Sequence, residues 1–380
     1  MTEDPERIPG PPDNRTPDNR NADNRPPNNR AADSAPESGN SERPGEGRRA
    51  LVTGAAGFIG AELAHRLLAE GWTVTGLDAL TDYYEVSLKK ARLARLAAHP
   101  RFRAEIGLVE TPGLLCRLMA ELRPDAVIHL AAQAGVRHSI EAPRAYVEAN
   151  LLGTYELLEA ARAVPPAHLL IASTSSAYGA NAKMPFAETD RTDHPVSFYA
   201  ATKKAAEAMA HSYAHLYGLP VTMFRFFTVY GPWGRPDMAP FKFTKAVLAG
   251  QPIDLYNHGD MQRDFTYVDD LIDGLAGLVS CPPGTTPVAE FDSLSPVARW
   301  RVVNIGNGAP VRLLDFVAAI EAATGRRAAR RLLPMQPGDV PATWADARLI
   351  AALLGRPLPR TDIREGVRRF VAWYRGYYGV

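Results

Sequence analysis

Two residues near the middle of the chain are spaced for proton-transfer chemistry. Tyr199 and Lys203 are four positions apart, so on a helix they share one face. A free tyrosine has a pKa of about 10, and work as a base near neutral pH requires about 4 kcal/mol of preferential phenolate stabilisation. A neighbouring ammonium group supplies such stabilisation by charge attraction. The pair therefore predicts proton abstraction from a hydroxyl group, although the same spacing also occurs on ordinary solvated helix faces.

A strand that ends in hydroxyl groups precedes this pair. The apolar stretch 168–172 opens into Ser173, Thr174, Ser175 and Ser176, and Tyr199 follows after a further loop. A hydroxyl group of Thr174 or Ser176 is suited to hold a substrate oxygen and to relay its proton. The combination makes the tyrosine–lysine pair more specific than the pair alone.

An apolar strand followed by spaced glycines lies at the start of the apolar part of the chain. Residues 50–53 run into the GxxGxxG turn at 54–60, and a helical pattern follows at 61–70. Such glycines let the backbone turn tightly and approach a pyrophosphate, which then lies at the helix N-terminus. The predicted binding residues of this turn are Gly54, Gly57, Phe58, Ile59 and Gly60. The alternative is a strand–helix unit whose glycines serve packing alone.

Asp78 ends the second strand, about 20 residues after the turn, where an acid accepts hydrogen bonds from a ribose. The same carboxylate repels a 2′-phosphate, so NAD is favoured over NADP. A third strand at 126–130 leads into small residues that let a dinucleotide lie close, and His129 within it is interpreted as a core residue. Alternating strands and helices predict an α/β fold, a doubly wound parallel sheet of the Rossmann type.

The first 48 residues differ sharply from the rest of the chain. They contain no aromatic residue, and an Asp/Asn-Asn-Arg motif recurs in them every five residues. They are therefore predicted to form a disordered tail. The remaining chain is divided into a dinucleotide-binding domain at 49–225, with a returning segment at about 262–280, and a smaller C-terminal α/β substrate domain at 226–380.

Composition excludes several classes of partner. The chain has 380 residues with 43 basic and 42 acidic side chains, so no broad positive surface is expected for nucleic acid or an anionic membrane. No apolar stretch is long enough to span a membrane. Cys116 and Cys281 form no disulfide framework, which favours a reducing, cytoplasmic setting. His211 and His215 have metal-ligand spacing without a third ligand, so no metal site is predicted.

Together these features resemble the extended short-chain dehydrogenase/reductase superfamily, and within it the UDP-glucuronate 4-epimerases. The segments that carry the narrower resemblance are GLDALTDYY at 76–84, AAQAGVR at 131–137, FFTVYGPWGRPDM at 226–238, RDFTY at 263–267 and QPGDVP at 336–341. The similarity covers residues 49–380.

The resemblance implies inversion at sugar C4. Tyr199 takes the hydroxyl proton while a hydride goes to NAD, the 4-keto sugar rotates, and the hydride returns to its other face. Thr174, Tyr199 and Lys203 are the implied catalytic residues. The cofactor residues, beyond the glycine turn and Asp78, are Leu130, Ala131, Ala132, Gln133 and Asn150, together with Tyr199 and Lys203. A homodimer formed through two helices of the first domain is also implied.

The resemblance places the UDP-sugar on a second group of residues. Thr174, Ser175, Ser176, Thr228 and Arg235 are implied at the sugar carboxylate, Arg263 at the diphosphate, Gln336 and Asp339 near the uridine, and Arg137 also in the substrate site. Arg235 and Asp339 have plain structural alternatives, a surface arginine and a turn-stiffening aspartate.

The residues that follow Thr174 distinguish this chain from relatives with other activities. Dehydratases of this superfamily place Asp and Glu there, and decarboxylating relatives place a Glu, whereas this chain has Ser175 and Ser176. Elimination or assisted decarboxylation therefore lacks its general acid or base. A decarboxylase, another UDP-sugar 4-epimerase and a non-catalytic NAD-sensing module remain the alternatives.

Overall fold

A seven-stranded parallel sheet lies at the centre of the protein. The computed structural model describes residues 45–336 and 338–380, so residues 1–44 of the predicted tail lie outside the described residues. The strands are β1 (Arg49–Thr53), β2 (Thr73–Asp78), β3 (Phe102–Ile106), β4 (Ala126–His129), β5 (His168–Thr174), β6 (Val221–Phe226), β7 (Thr228–Tyr230), β8 (Ile253–Leu255), β9 (Gln262–Tyr267), β10 (Trp300–Ile305), β11 (Pro310–Arg312), β12 (Arg330–Leu332) and β13 (Ala342–Thr343).

Helices cover the sheet and continue through the C-terminal region. They are α1 (Phe58–Ala69), α2 (Val86–Ala97), α3 (Leu114–Leu122), α4 (His138–Glu141), α5 (Pro143–Tyr146), α6 (Gly153–Ala163), α7 (Phe198–Tyr217), α8 (Ala239–Leu248), α9 (Val268–Val279), α10 (Leu313–Thr324), α11 (Arg348–Leu354) and α12 (Ile363–Tyr378). A π-helix occupies Val147–Leu152, and 3₁₀ turns occupy Ser175–Tyr178 and Tyr256–Gly259.

The large sheet has the order β3-β2-β1-β4-β5-β6-β10, and every neighbouring pair is parallel. The order reverses between β1 and β4, and a doubly wound sheet opens its ligand crevice at such a point, beyond the carboxyl ends of the strands. The predicted α/β Rossmann class is therefore confirmed.

Buried strands explain why the sheet forms from these residues. All seven side chains of β5 and all four of β4 are buried, as expected for parallel strands covered on both faces. His129 belongs to this core: its Nδ1 lies 2.8 Å from the Thr53 hydroxyl group, and burial lowers its pKa to about 3. The interpretation of His129 as a core residue is confirmed.

The C-terminal region contains two smaller sheets. In the first, β9 pairs with β7 and β13 in parallel and with β11 antiparallel, while the second joins β8 to β12. The returning segment predicted at about 262–280 is therefore divided, since β9 lies in the small sheet and α9 packs against α1 beside the large one. The strand that completes the large sheet is β10, downstream of that segment.

Residues 45–48, which belong to the predicted disordered tail, are anchored to the folded chain, and so is the segment after α9. The Gly45 amide donates to the Glu70 carbonyl at 3.0 Å, and the Arg48 guanidinium lies 4.3 Å from the Trp72 ring centre. His211 contacts the Ser295 hydroxyl at 2.9 Å and His215 the Val297 carbonyl at 2.8 Å. The two histidines thus hold the segment before β10 onto α7.

Among the described helices, none has the length and apolarity to cross a membrane.

Candidate functional site

The glycine-rich turn lies between β1 and the N-terminus of α1. Gly54 has φ +74°, and a Cβ atom there would lie 2.8 Å from the Ala131 amide nitrogen. A Cβ atom on Gly60 would lie 2.1 Å from the Gly54 carbonyl oxygen, so no larger residue fits without moving the turn. These close approaches leave the backbone free to meet a ligand, and they fit a dinucleotide pyrophosphate at the start of α1.

Asp78 holds the other side of this turn. Its Oδ2 accepts a hydrogen bond from the Ala56 amide at 2.9 Å, and its Oδ1 accepts one from the Leu80 amide at 2.8 Å. The carboxylate therefore fixes the backbone of the glycine turn through Ala56. Each oxygen keeps a further lone pair, so the predicted bonds to a ribose are still available.

A cavity of about 310 Å³ opens over the turn and the ends of β1, β2 and β4; we call it the first cavity. Most of the predicted cofactor residues line it together, as do Tyr199 and Lys203. They are Gly54, Gly57, Phe58, Ile59, Gly60, Asp78, Leu130, Ala131, Ala132 and Gln133. The predicted cofactor residue Asn150 is not among the lining residues.

Asn150 lies behind the wall of the first cavity. It is 1% exposed, its side-chain oxygen accepts from the Gln133 amide at 2.9 Å, and its Nδ2 donates to the Gln133 carbonyl at 3.0 Å and to Thr202 at 3.0 Å. The side chain therefore fixes the Gln133 backbone and joins it to α7. Asn150 lies in the π-helix Val147–Leu152, an irregularity that is frequent at functional sites.

The tyrosine–lysine pair lies on α7, in the lining of the first cavity. The helix begins after Ser197, whose hydroxyl accepts the Ala200 amide at 3.1 Å. Lys203 is 4% exposed and donates to the Ala172 carbonyl at 3.0 Å, which ties α7 to the end of β5. The predicted shared face is therefore turned inward, against the hydroxyl-rich strand end.

Burial governs the protonation of the pair. It raises the pKa of Tyr199, and hydrogen bonding by Thr174 and the charge of Arg235 offset this shift in part. It lowers the pKa of Lys203 to about 8, although the Glu207 carboxylate opposes the change. The side chains alone therefore do not lower the Tyr199 pKa, because desolvation of the phenolate outweighs their contributions.

A second cavity, of about 300 Å³, adjoins the first. Seven residues line both: Phe58, Ile59, Ala134, Ser173, Tyr199, Phe226 and Arg235. The predicted substrate residues that line the second cavity are Thr174, Ser175, Ser176, Thr228, Arg235, Arg263 and Asp339. Its described lining contains two arginines and a single acid, Asp339, so it favours an anionic ligand.

Arg235 is held before any ligand arrives. Its Nε and Nη2 donate to the two oxygens of Asp237 at 3.0 and 2.6 Å, and Asp237 also accepts from the Tyr83 hydroxyl at 3.3 Å. Burial lowers the pKa of Arg235 while Asp237 raises it, and the net shift is upward. The forked edge formed by Nε and Nη2, which is suited to a bidentate grip on a carboxylate, is thus occupied by Asp237, and Nη1 is the nitrogen not used in that pair.

Two predicted substrate residues lie outside the lining of both cavities. Arg137 pairs with Asp339 at 3.2 Å and lies 4.7 Å from the Tyr256 ring centre. Gln336 has a buried Oε1 without a hydrogen-bond partner among the described residues. Arg263 donates to the Pro341 carbonyl at 3.1 Å, so it fixes the backbone immediately before β13. Arg137 therefore orients Asp339 at the cavity rim.

The structure adds residues that the sequence did not reveal. Tyr83 and Asp237 complete the surroundings of Arg235, and Ser173 lines both cavities while donating to Glu207 at 2.6 Å. Asp237 had a signal in its separation of two residues from Arg235. Tyr83 lies in the segment 76–84 and Ser173 at the hydroxyl-rich strand end, but only the folded chain shows that Tyr83 lines the first cavity and Ser173 lines both. Within the described residues, no group of three metal-ligating side chains is found.

A family comparison matches this architecture. The model of the NAD dependent epimerase/dehydratase family matches residues 50–281, which include the glycine turn and the tyrosine–lysine pair.

Curated relatives extend the similarity over three quarters or more of their length. The chain is 53% identical over 334 residues to the probable UDP-glucuronate 4-epimerase of Rhizobium meliloti, covering 87% of this chain and 98% of that one. It is 44% identical over 349 residues to UDP-glucuronate 4-epimerase 6 of Arabidopsis thaliana, covering 90% and 75%. The fold resembles the crystal structure of UDP-glucuronic acid 4-epimerase from Bacillus cereus in complex with UDP-glucuronic acid and NAD, with TM-score 0.76, 31% identity, and coverage of 87% and 100%.

Proposed function

The chain belongs to the NAD dependent epimerase/dehydratase family, and we propose that it interconverts UDP-glucuronate and UDP-galacturonate by inverting sugar C4. The observation that carries this proposal is the position of Tyr199, which lines both cavities beside Arg235. A base at that junction reaches a hydroxyl group in one cavity while the hydride acceptor occupies the other. The relatives named for this reaction, at 44% and 53% identity, support the choice of substrate.

The first cavity holds the cofactor. The glycine turn takes the pyrophosphate, Asp78 the adenine-side ribose, and Lys203 faces the same cavity. When bound, NAD supplies the acceptor for the C4 hydride and a positive charge that favours the tyrosinate. Since burial raises the pKa of Tyr199, that charge adds to what Thr174 and Arg235 contribute.

Tyr199 and Thr174 move the proton. The Tyr199 phenolate takes the C4 hydroxyl proton, and the Thr174 hydroxyl holds the same oxygen. After the 4-keto sugar has turned its other face toward the cofactor, Tyr199 returns the proton. Ser175 and Ser176 offer no carboxylate to the intermediate, so elimination of water lacks a general acid and base.

The acidic sugar imposes a further demand on the second cavity. A 4-keto sugar with a C5 carboxylate is a β-keto acid, which loses carbon dioxide when the breaking bond aligns with the ketone. Thr228 and the Nη1 edge of Arg235 hold the carboxylate out of that alignment. Because Asp237 fixes the guanidinium at 2.6 Å, this grip costs little further ordering.

Residues at the rim bind the nucleotide. Arg263 lines the second cavity and offers charge to the diphosphate, and burial lowers its pKa although Asp339 opposes that shift. Asp339, oriented by Arg137, and Gln336 are placed near the uridine. The buried, unpartnered Oε1 of Gln336 is available as an acceptor.

Incubation of the protein with UDP-glucuronate, followed by proton NMR of the sugar signals, tests the proposal. We expect UDP-galacturonate to accumulate to equilibrium. Release of carbon dioxide and a UDP-pentose instead would identify a decarboxylase, and interconversion restricted to UDP-glucose and UDP-galactose would identify another 4-epimerase. NAD binding without turnover of either sugar would identify a non-catalytic module.

We also propose a homodimer. Apolar side chains near α6 and α7 are exposed, with Leu152 at 49%, Tyr155 at 45% and Leu216 at 66%, and pairing of these helices with a second copy would cover them. Light scattering of the purified protein should give twice the chain mass, and Tyr155→Arg should halve it. A monomeric wild type would contradict the proposal.

The same protein is proposed to work in the cytoplasm. Cys116 and Cys281 are both free thiols, which suits a reducing compartment. Cell fractionation with an antibody to the chain should recover it with cytoplasmic markers.

A further inference from the structure

Arg92, on α2, is a fully buried cation whose partners are neutral. Its side chain is 0% exposed, and it donates to the Ala56 carbonyl at 3.2 Å, to the Tyr84 hydroxyl at 2.8 Å, and to the carbonyls of Trp233 and Gly234 at 2.5 and 3.0 Å. In the part of the chain that the structure describes, it forms no ion pair with a carboxylate. A buried charge is costly unless something compensates it, so this arrangement calls for an explanation.

The partners of Arg92 belong to different parts of the site. Ala56 lies inside the glycine turn of the first cavity, and its amide is bound by Asp78 at 2.9 Å. Gly234 directly precedes Arg235, which lines both cavities. One guanidinium group therefore joins the phosphate-binding turn to the loop at residues 231–238.

This loop needs support, because its backbone is strained. Trp233 has φ +62°, a left-handed value that L-residues rarely adopt. Its carbonyl receives two bonds from Arg92, at 3.1 and 2.5 Å. Its ring is covered by Arg95 at 4.5 Å and packs against Trp373 on α12 at 5.3 Å. Arg92 thus holds the backbone of the loop, whereas Arg95 and Trp373 hold the Trp233 ring.

We propose that Arg92 is a positioning residue that couples the two cavities: a dinucleotide pyrophosphate at the glycine turn compensates its charge, and the compensated guanidinium holds loop 231–238 with Arg235 in place. The N–H groups of Arg92 are used by the turn, Tyr84 and the loop, and Arg92 lines neither cavity, so the anion acts on the guanidinium by charge attraction across the turn and not by a direct hydrogen bond. Only the role of Arg235 in binding a sugar carboxylate rests on the proposed function. The coupling between cavity and loop does not.

Hydrogen exchange of the loop amides tests the coupling directly. Full-length protein is freed of bound NAD and measured with and without added NAD, and exchange is followed in the peptide covering 231–238. In the wild type, NAD should slow exchange about five- to tenfold, the lower part of the usual range for coupling between sites. In Arg92→Lys the slowing should fall below twofold, because an ammonium keeps the charge but cannot span the turn and both loop carbonyls.

Arg95→Lys is the matched control. Arg95 lies on the same helix and contacts the same tryptophan, but through the ring and with its charge paired to Glu62 at 2.6 Å. This variant should keep the wild-type response. Equal NAD protection in Arg92→Lys and the wild type overturns the proposal, and so does a wild-type loop that does not respond to NAD, whatever the variants do.

A second measurement uses substrate. With UDP-glucuronate, Arg92→Lys should raise KM about tenfold and increase the share of decarboxylated product, while NAD content per chain stays above half. A purely structural role would lower the melting temperature and the active fraction and leave KM and the product ratio unchanged. If the wild type does not convert UDP-glucuronate, the proposed function fails, and the exchange experiment still decides the role of Arg92.

Discussion

The two cavities differ in how the chain builds them. The first is formed mainly by one turn and by the ends of neighbouring parallel strands, β1, β2 and β4, so sequence order and spatial order nearly coincide. The second collects the β5 strand end, the loop after β7, Arg263 on β9 and the segment 338–343, which are far apart in the chain. The comparison teaches that local spacing specifies a binding turn, whereas a specificity pocket depends on how distant loops are held.

Tyr199→Phe should break the function at the junction of the two cavities. Removal of the phenol removes the base, and general acid–base catalysis contributes about 10²- to 10⁴-fold, so kcat should fall by about 10³-fold. NAD content should stay near one per chain, since the glycine turn is untouched. NMR turnover and absorbance of released cofactor check both points.

Tyr213→Phe is the control for this change. Tyr213 lies on the same helix and its hydroxyl donates to Glu159 at 2.6 Å, away from both cavities. It should retain wild-type kcat. Turnover by Tyr199→Phe close to wild type would remove Tyr199 from the catalytic role.

Gly60→Ala should damage the first cavity and spare the second. Its Cβ atom would lie 2.1 Å from the Gly54 carbonyl, so the turn must move and lose aligned amide donors. Loss of a charge-assisted bond of about 1.5–3 kcal/mol predicts a roughly 10- to 100-fold weaker Kd for NAD. Calorimetry with UDP should show affinity within twofold of wild type.

A helical glycine with open space provides the comparison variant. Gly376, in α12, has nothing within 4 Å of a built Cβ atom, so Gly376→Ala should bind NAD normally. Parallel loss of NAD and UDP affinity in a folded Gly60→Ala protein would contradict the separation of the two cavities.

Arg235→Lys should act in the opposite direction and damage the second cavity. Lysine keeps the charge but loses the fork that Asp237 holds, so KM for UDP-glucuronate should rise about tenfold and the share of 4-keto pentose should increase. Mass spectrometry of the products measures the ratio. An unchanged ratio and KM would remove Arg235 from the carboxylate site, and Arg191→Lys, at an exposed position, is the control.

The pH dependence should report the buried lysine of the first cavity. Burial lowers the pKa of Lys203 to about 8, so the protonated form that supports the tyrosinate is lost as pH rises through that value. At pH 9, kcat/KM should be about tenfold below its plateau. A profile that stays flat to pH 10 would show that Lys203 remains charged or that its charge is not needed.

Much of the fold and of the first cavity was predictable. The glycine spacing, Asp78 after β2 and the strand–helix alternation each depend on residues close in sequence, and the structure places them as expected. Asn150 was assigned to the cofactor but lies behind Gln133, because the direction of a side chain on a π-helix is not encoded in spacing. Which strand completes the large sheet depends on tertiary contacts as well: β10 pairs with β6, while β9 lies in a smaller sheet.

The second cavity was predicted as a set of residues but not as an arrangement. Seven of the nine predicted substrate residues line it, whereas Arg137 and Gln336 do not. The pairing of Arg235 with Asp237 was not foreseen, nor were the bonds of Arg92 to the Trp233 and Gly234 carbonyls, which lie 141 and 142 positions away in the chain.

The parallel α/β sheet, the dinucleotide turn and the Tyr199–Lys203 pair can be predicted from the amino-acid sequence, because each follows from residue types at fixed local spacing. The tertiary structure alone decided which face of α7 is buried, that Tyr199 lines both cavities, and which edge of Arg235 is occupied. It also decided that burial raises the tyrosine pKa and lowers that of the lysine. These properties arise from desolvation and from contacts between distant segments, and neither exists until the chain has folded.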